Sequence, residues 1–113
     1  MTIQKIRDDT ICRGSCYNPQ FTFINEDNSI PDYSEYTGYY ILSPYGFEDE
    51  NILSITMELT DTNIFTAILN SEDTDLEEGT YTVKIVLVDN DGNQYKPCRG
   101  TLSVLKDTLE VNA

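Results

Sequence analysis

The sequence predicts an all-β domain in which two antiparallel sheets stack face to face. Three observations lead to this prediction. Apolar residues alternate with polar ones along several short runs, turns rich in glycine and aspartate separate these runs, and a single segment has the features of a helical turn. The length of 113 residues is enough for one hydrophobic core, so we expect one domain over residues 1–113.

The strands are predicted from period-two patterning, taken in chain order. Ile3 and Ile6 indicate a short first strand. Six further runs either alternate or are rich in aromatic and β-branched residues, and they cover residues 21–24, 39–42, 53–59, 63–69, 80–88 and about 94–105. About seven short antiparallel strands separated by turns are typical of an immunoglobulin-like β-sandwich.

Two connections between these strands have distinctive chemistry. Residues 89–93 have the sequence Asp-Asn-Asp-Gly-Asn, and Asp-Gly accommodates the positive φ of a tight turn, which predicts a β-hairpin. The segment Ser71-Leu76 predicts one short helical turn, because Ser71 is a good N-cap and acidic residues follow it. Gly79 is expected to end that segment, and Leu76 is expected to cover the core beneath it.

The charge balance excludes several classes of partner. Twenty acidic residues against seven basic ones give a formal net charge of -13. Such a chain repels nucleic-acid phosphates and anionic membrane surfaces, so we expect no nucleic-acid binding and no membrane insertion. No apolar run approaches the ~20 residues that span a bilayer, and residues 1–10 do not form a secretory signal. The charge favours solubility, with a basic partner surface or divalent cations as the alternative.

The sequence lacks the side chains that enzymes use most often for acid–base and nucleophilic catalysis. There is no histidine, which removes the commonest general base and the usual nucleophile–base pairs. Acidic pairs are frequent, but they fall in predicted loops, where carboxylates stay solvated. We therefore expect no catalytic residue, no enzyme activity and no cofactor.

The three cysteines, Cys12, Cys16 and Cys98, are an odd number for a small chain. This argues against a disulfide framework and for a reducing compartment. Three thiolates and a fourth ligand suit zinc, but structural zinc sites use closely spaced cysteine pairs in two halves, and the sequence has no second half. Buried free thiols are favoured, with a zinc site or a single disulfide as alternatives.

One acidic segment resembles a calcium loop. Asp89, Asp91 and Asn93 alternate as oxygen ligands do in such loops. Counted from Asp89, the sixth and twelfth positions hold Gln94 and Gly100, whereas an EF-hand needs glycine and glutamate there. The hairpin interpretation is therefore favoured, and these three residues stay weak calcium candidates because acidic loops at one end of a sandwich can pool their charge.

The chain has eight tyrosines and no tryptophan, and five of the tyrosines are close in sequence: Tyr33, Tyr36, Tyr39, Tyr40 and Tyr45. Tyrosine joins a large apolar face to a polar tip and is enriched at interfaces. Two interpretations stay open, because these side chains either form a protein interface or fill the core and line its edge. An exposed edge strand is another candidate interface, since it can pair with a strand from a partner.

Several short segments follow one another in an informative order. In the first half they are Arg13-Gly14-Ser15, Phe21-Thr22-Phe23, Asn25-Glu26-Asp27-Asn28 and Tyr36-Thr37-Gly38-Tyr39. In the second half they are Phe65-Thr66, Ser71-Glu72-Asp73-Thr74, Leu76-Glu77-Glu78-Gly79-Thr80-Tyr81, and residues 89–93 and 99–105. In this order, from about Arg13 to Asp107, the chain resembles the immunoglobulin-like N-terminal domain of bacteriophage tail and baseplate proteins, of the upper-baseplate and fibre-attachment type.

The resemblance implies a function and leaves alternatives. Cys16, Cys98 and the longer segment 32–36 depart from the family pattern. Family members often continue into a receptor-binding or trimerising extension, whereas this sequence ends at Ala113, which favours an adaptor or decorating role.

The implied protein is a non-enzymatic virion component, made in the host cytoplasm, that docks to tail, baseplate or neck proteins in symmetric multi-copy assembly. The alternatives are a capsid decoration or head-fibre protein, a cation-dependent cell-surface adhesion module, and a host regulatory or inhibitor protein made during infection.

Overall fold

The computed structural model describes residues 5–25, 27–47 and 50–106, and every regular element in these residues is a β-strand. The eight strands are β1 (Lys5–Cys12), β2 (Gln20–Thr22), β3 (Thr37–Pro44), β4 (Leu53–Thr56), β5 (Glu58–Asp61), β6 (Ile64–Thr66), β7 (Gly79–Val88) and β8 (Gln94–Leu105). The all-β prediction is confirmed. The predicted position of Ile3 lies outside the described residues.

The strands form two sheets that enclose one core. A five-stranded sheet has the order β1-β8-β7-β3-β4, and a three-stranded sheet has the order β2-β6-β5. This is the strand order of an immunoglobulin-like sandwich, in which β2, β6 and β5 take the places of B, E and D, and β8, β7, β3 and β4 those of G, F, C and C′. The predicted fold class is therefore what the structure shows.

The first strand departs from the fully antiparallel prediction. β1 pairs in parallel with β8, from Lys5 opposite Cys98 to Cys12 opposite Leu105. Parallel neighbours need a long connection between them, and here most of the domain lies between β1 and β8 in the chain. The alternation of side chains in β1 carries no information about its direction, so the sequence pattern could not reveal this pairing.

The prediction of one strand over residues 53–59 is wrong in one respect, because this segment forms two strands that belong to different sheets. β4 belongs to the five-stranded sheet and β5 to the three-stranded sheet. Met57 lies buried between them, and its backbone N–H donates to the carbonyl of Gly38 at 2.8 Å. The apolar alternation continues through Met57 because both strands bury one face in the same core.

The core draws on both sheets. The predicted inward faces of β7 and β8 are confirmed, since Val83, Ile85, Leu87, Leu102 and Val104 are all buried in it. Facing them from the smaller sheet and its connections are buried aromatic and aliphatic residues, namely Phe21, Phe23, Phe65, Ala67 and Leu69.

The two sheets pack tightly against each other at Gly38. A Cβ atom at Gly38 would lie 2.8 Å from Cδ1 of Phe65 and 2.9 Å from Cε of Met57, closer than non-bonded carbon atoms approach. The missing side chain at this position therefore makes room for the Phe65 ring.

The predicted helical turn near Ser71-Leu76 is a single hydrogen-bonded turn. Its cap is Asn70 and not Ser71: the Asn70 side chain accepts from the backbone N–H of Asp73 at 3.3 Å, and the Asp73 carboxylate accepts from the backbone N–H of Asn70 at 3.0 Å. This reciprocal arrangement is a capping box. Leu76 packs against the core as predicted.

At the start of β7, the Tyr81 hydroxyl donates to the backbone carbonyl of Glu77 at 2.6 Å. This contact is the tyrosine corner of immunoglobulin-like sandwiches, in which the hydroxyl binds the backbone a few residues upstream. It fixes the entry of the chain into β7.

A buried threonine joins this corner to the connection between β1 and β2. Thr74 is fully buried, its hydroxyl donates to the carbonyl of Ser15 at 2.7 Å, and its own carbonyl accepts from the N–H of Gly14 at 3.1 Å. On the surface beside it, Arg13 and Asp75 form a salt bridge at 2.8 Å. An exposed ion pair contributes little to stability, so we attribute the joining of the two loops to Thr74.

Thr74→Val tests this role. Valine keeps the shape of the side chain but leaves the Ser15 carbonyl without its donor, and we expect the free energy of unfolding to fall by about 1–2 kcal/mol. Urea unfolding measures the change. Thr60→Val, at an exposed threonine of β5, is the matched control and should change stability by less than ~0.5 kcal/mol. Equal effects of the two substitutions would contradict the assignment.

Candidate protein-docking surface

Two of the five candidate interface tyrosines lie in the core. Tyr33 is 7% exposed and Tyr40 1% exposed. The Tyr33 ring contacts Phe23 edge to face, with 5.8 Å between ring centroids. Tyr40 follows Tyr39 on a strand, so the two side chains point to opposite faces and only one can face solvent. The interface prediction is therefore corrected for Tyr33 and Tyr40.

The other three tyrosines lie nearer the surface. Tyr36 is half-buried, and its ring is 5.0 Å from Tyr33 and 5.9 Å from Tyr95. Tyr39 is half-buried on the outer face of the five-stranded sheet. Tyr45 is 66% exposed in the connection between β3 and β4. These positions leave Tyr39 and Tyr45 accessible to a partner.

The outer face of the five-stranded sheet has an apolar centre. Val86 is 7% exposed, yet it lies on the face of β7 opposite to the core-facing Val83, Ile85 and Leu87. Val86 pairs with Tyr39 across the strands, and Lys84 pairs with Ile41. Longer side chains around Val86 therefore cover it from the outside, and the face has a partly buried layer of its own.

These outward side chains line a shallow depression of about 360 Å³, which we call the lysine depression. Its lining residues are apolar, aromatic, amide, hydroxyl or lysine side chains, namely Tyr39, Ile41, Asn51, Ser54, Lys84, Val86, Val88, Gln94 and Lys96. At one end, the buried Ser43 hydroxyl donates to Oδ1 of Asn51 at 3.1 Å, which holds the β3–β4 connection against the sheet.

The charge of the lysine depression is unusual for this chain. None of its lining residues in the described part is acidic, and two are lysines, although the whole chain carries a net charge of -13. On the smaller sheet, the outer positions that pair across the strands are Gln20, Thr66 and Glu58 in one row and Thr22, Ile64 and Asp61 in the next, and all of them except Ile64 are polar. The lysine depression therefore combines apolar surface with positive charge, which suits an acidic protein partner.

Sequence reasoning missed Ile41, Lys84, Val86, Val88 and Lys96. A signal was present, because residues 83–88 of β7 are apolar at five of six positions and so are apolar on both faces of the strand. Such a run is typical of a strand that is covered on both sides. What the sequence could not supply is which strands lie beside β7.

Three connections meet at one end of the sandwich, and their described residues, 23–25, 27–36, 61–63 and 89–93, form what we call the acidic end. The backbone N–H of Tyr33 donates to the carbonyl of Thr62 at 2.8 Å, and the Asn90 side chain donates to Glu35 at 3.3 Å. Six acidic side chains of the described part lie here, namely Asp27, Asp32, Glu35, Asp61, Asp89 and Asp91. The three segments contain no lysine or arginine.

Local hydrogen bonds lower the pKa of several of these carboxylates. Donation from the Ser29 side chain and backbone lowers the pKa of Asp27 below its ordinary value of 3.8. Donation from Ser34 does the same for the pKa of Asp32. Asp27 and Asp32 therefore stay ionised to a lower pH than an aspartate without these hydrogen bonds.

Residues 89–93 form the predicted hairpin connection, with Gly92 at a φ of 84°. Oδ1 of Asp89 accepts from the backbone N–H groups of Asp91 and Asn93 at 3.0 and 2.9 Å. Oδ2 accepts from the Asn93 side chain at 3.2 Å and from the Tyr95 hydroxyl at 3.3 Å. Both oxygens of this weak calcium candidate are thus engaged in holding the turn.

Asp89→Asn has a pH-dependent effect that can be derived from these contacts. Burial raises the pKa of Asp89, but hydrogen bonds from Asn93, Asp91 and Tyr95 outweigh it, and the pKa falls below 3.8. A lowered pKa contributes stability that is complete above 3.8 and is lost as the pH falls through the folded-state pKa.

We therefore expect Asp89→Asn to be less stable than the wild type at neutral pH, and the difference to vanish in acid. Urea unfolding from pH 7 to about pH 2 measures it. Asp91→Asn keeps every hydrogen bond to Asp89 and should show no such convergence. A difference that stays constant with pH would rule out the carboxylate as its source.

The cysteines follow the favoured prediction of buried free thiols only in part. Cys12 is half-buried and Cys16 is exposed, and both are free thiols, so burial is wrong for Cys16. The side chain of Cys98 lies outside the described part. Among the residues that the structure describes, no three His, Cys, Asp or Glu side chains come together as metal ligands.

The sheet edges are poor candidates for strand pairing. β1 is eight residues long, but it carries Asp9, which lines a small pocket with Phe21 and Val83 and accepts from the Tyr17 hydroxyl. An inward-pointing charge on an edge strand discourages pairing with another chain. The edge strands β2, β4 and β5 have only three or four residues each. The lysine depression is therefore the stronger docking candidate.

Comparisons with known proteins add no assignment to this surface. No protein-family model matches the chain, and no curated protein matches it. Within residues 5–25, 27–47 and 50–106, the structure has no helix that is long and apolar enough to cross a membrane.

Proposed function

We propose that the protein is a non-enzymatic structural or assembly component of a bacteriophage virion, made in the host cytoplasm, that docks to tail, baseplate or neck proteins. The lysine depression supports the docking part of this proposal. The order of the sequence segments supports the virion part, because it resembles the immunoglobulin-like domain of tail and baseplate proteins.

The shape of the lysine depression favours a protein over a small ligand. Five strands at a spacing of ~4.8 Å make a face about 24 Å wide, which is the scale of one side of a protein interface. Its centre is aromatic and aliphatic, with Tyr39, Ile41 and Val86, and lysines lie among them. An apolar centre with polar surroundings is the usual anatomy of a protein interface.

The experiment compares incorporation of the protein into phage particles. Ile41→Asp places a carboxylate in the lysine depression, and we expect at least a tenfold loss from purified virions, measured by quantitative mass spectrometry. Ile41 is only half-buried and lies outside the core cluster, so the fold should persist, which circular dichroism verifies.

Thr60→Asp, on the polar outer face of the smaller sheet, is the matched control and should incorporate normally. Absence of the wild-type protein from purified virions would contradict the virion assignment. Equal incorporation of wild type and Ile41→Asp would contradict the docking surface.

The same surface suits a capsid decoration or head-fibre protein, and cryo-electron microscopy of the particles separates this alternative by position. A cation-dependent adhesion module has weaker support, because Asp89 already accepts four hydrogen bonds. Under that alternative, millimolar calcium raises the Tm.

A further inference from the structure

Charge is unevenly distributed over this molecule. The acidic end carries six described carboxylates, and its three segments contain no lysine or arginine. The lysine depression has Lys84 and Lys96 and no acidic lining residue in the described part. The opposite end of the sandwich also has carboxylates, namely Glu72, Asp73, Asp75, Glu77 and Glu78, but basic residues accompany them, because Arg13 pairs with Asp75 there and Lys106 follows β8.

The two surfaces are also similar in size. The face that holds the lysine depression is about 24 Å wide at ~4.8 Å per strand. The two shorter dimensions of the molecule are 31 and 22 Å, which sets the cross-section that one end can present. A contact of that size covers on the order of 600 Å² on each partner, in the range of weak specific interfaces.

We propose that the lysine depression receives the acidic end of a second copy of this chain, so that copies join end to face. The inference rests on the proposed docking surface and names its partner. The carboxylates of Asp27, Asp32 and Asp89 are ordered before the contact forms, because local hydrogen bonds within the turns hold them in place.

Such a contact uses two different surfaces on each copy. Repetition of a contact between unlike surfaces generates a closed ring where the rotation closes and an open filament where it does not. This is the type of contact that a symmetric multi-copy assembly requires. A face-to-face contact between two copies instead brings their lysines together, which disfavours it.

The experiment is sedimentation of the full chain at 1 µM to 1 mM, at about 0.15 M salt, where the Debye length of ~8 Å screens the net repulsion between copies. We expect concentration-dependent association. Lys96→Glu alters the face, and Glu35→Lys with Asp91→Lys alters the end. Each variant alone should associate at least tenfold more weakly, because like charges then meet at the contact.

Mixing the two variants decides the geometry. The face variant keeps its acidic end and the end variant keeps its lysine depression, so an equimolar mixture should form one-to-one pairs, which neither variant forms alone, and should not grow further because the altered surfaces end each pair. Glu77→Lys with Glu78→Lys, at the opposite end of the sandwich, is the matched control and should associate like the wild type.

Three results overturn the inference. They are a wild-type chain that stays monomeric over the whole concentration range, an end variant that associates like the wild type, and a control variant that loses association while the end variant keeps it. Each of them leaves the proposed docking function standing, because incorporation into virions is measured separately.

Discussion

Phe65→Ala is expected to lower the free energy of unfolding by about 3–5 kcal/mol, the cost of removing a buried aromatic ring from a packed core. Phe65 is 1% exposed and contacts Phe23 and Tyr33, each with 6.1 Å between ring centroids. It lies on β6, the central strand of the smaller sheet, so the cavity would open between the sheets. Little rearrangement can fill it, because the neighbouring Phe23 and Tyr33 rings are themselves buried in the core.

Thermal and urea unfolding measure this effect, and we expect the Tm to fall by roughly 10–20 °C. Tyr45→Ala is the matched control, since it also removes an aromatic ring but from a side chain that is 66% exposed. It should change stability by less than ~0.5 kcal/mol. A similar loss for both variants would mean that Phe65 is not a central core residue.

Gly38→Val is expected to destabilise the fold by about 3 kcal/mol, because it adds side-chain atoms to a part of the core that is already full. The first atom of any side chain at Gly38 would lie 2.8 Å from the Phe65 ring and 2.9 Å from the end of Met57. Met57 is flexible and can move aside, but the Phe65 ring is held by its aromatic neighbours. A β-branched residue gains at most ~1 kcal/mol from its strand propensity, so the steric clash outweighs this gain and the free energy of unfolding falls.

A second substitution identifies the source of this effect. Phe65→Leu shortens the side chain that meets the new atoms, and we expect Gly38→Val and Phe65→Leu together to cost less than the sum of the two single variants. The coupling in this double-mutant cycle should be about 1 kcal/mol or more. Strictly additive effects would indicate that the destabilisation arises in the backbone of β3 and not from the contact.

Much of the fold could be predicted from local patterns because those patterns are enforced locally. The inward positions of β7 and β8 are set by the period of two along one strand. The hairpin at residues 89–93 is set by the conformational freedom of Gly92 and the acceptors of Asp89. Leu76 could be placed under its turn because an apolar residue in an acidic segment has few other positions.

The errors arose where distant parts of the chain decide the outcome. The change of sheet at Met57 leaves the alternation intact, so no pattern marks it. Whether β1 runs parallel or antiparallel to its neighbour depends on which edge strand of which sheet it joins. Of the neighbouring Tyr39 and Tyr40, one must face inward, and only the register with β7 determines which.

The docking candidate was the least predictable feature. The lysine depression consists of residues from β3, β4, β7 and β8 and from one connection, and these segments are far apart in the sequence. Only Tyr39 of this set was identified from the sequence, through the local crowding of tyrosines. The acidic end was partly foreseen, because its loops are acidic in composition, but their meeting depends on the topology of the sandwich.

The parallel pairing of β1 with β8 constrains how this chain can be re-engineered. Because the two strands run the same way, Lys5 and Leu105 lie at opposite ends of the pair, separated by roughly 25 Å at ~3.3 Å per residue. A circular permutant that joins residue 106 back to residue 5 therefore needs a linker of at least about eight residues. Fusion partners attached at these two positions should point away from each other, so tandem copies would extend in a row.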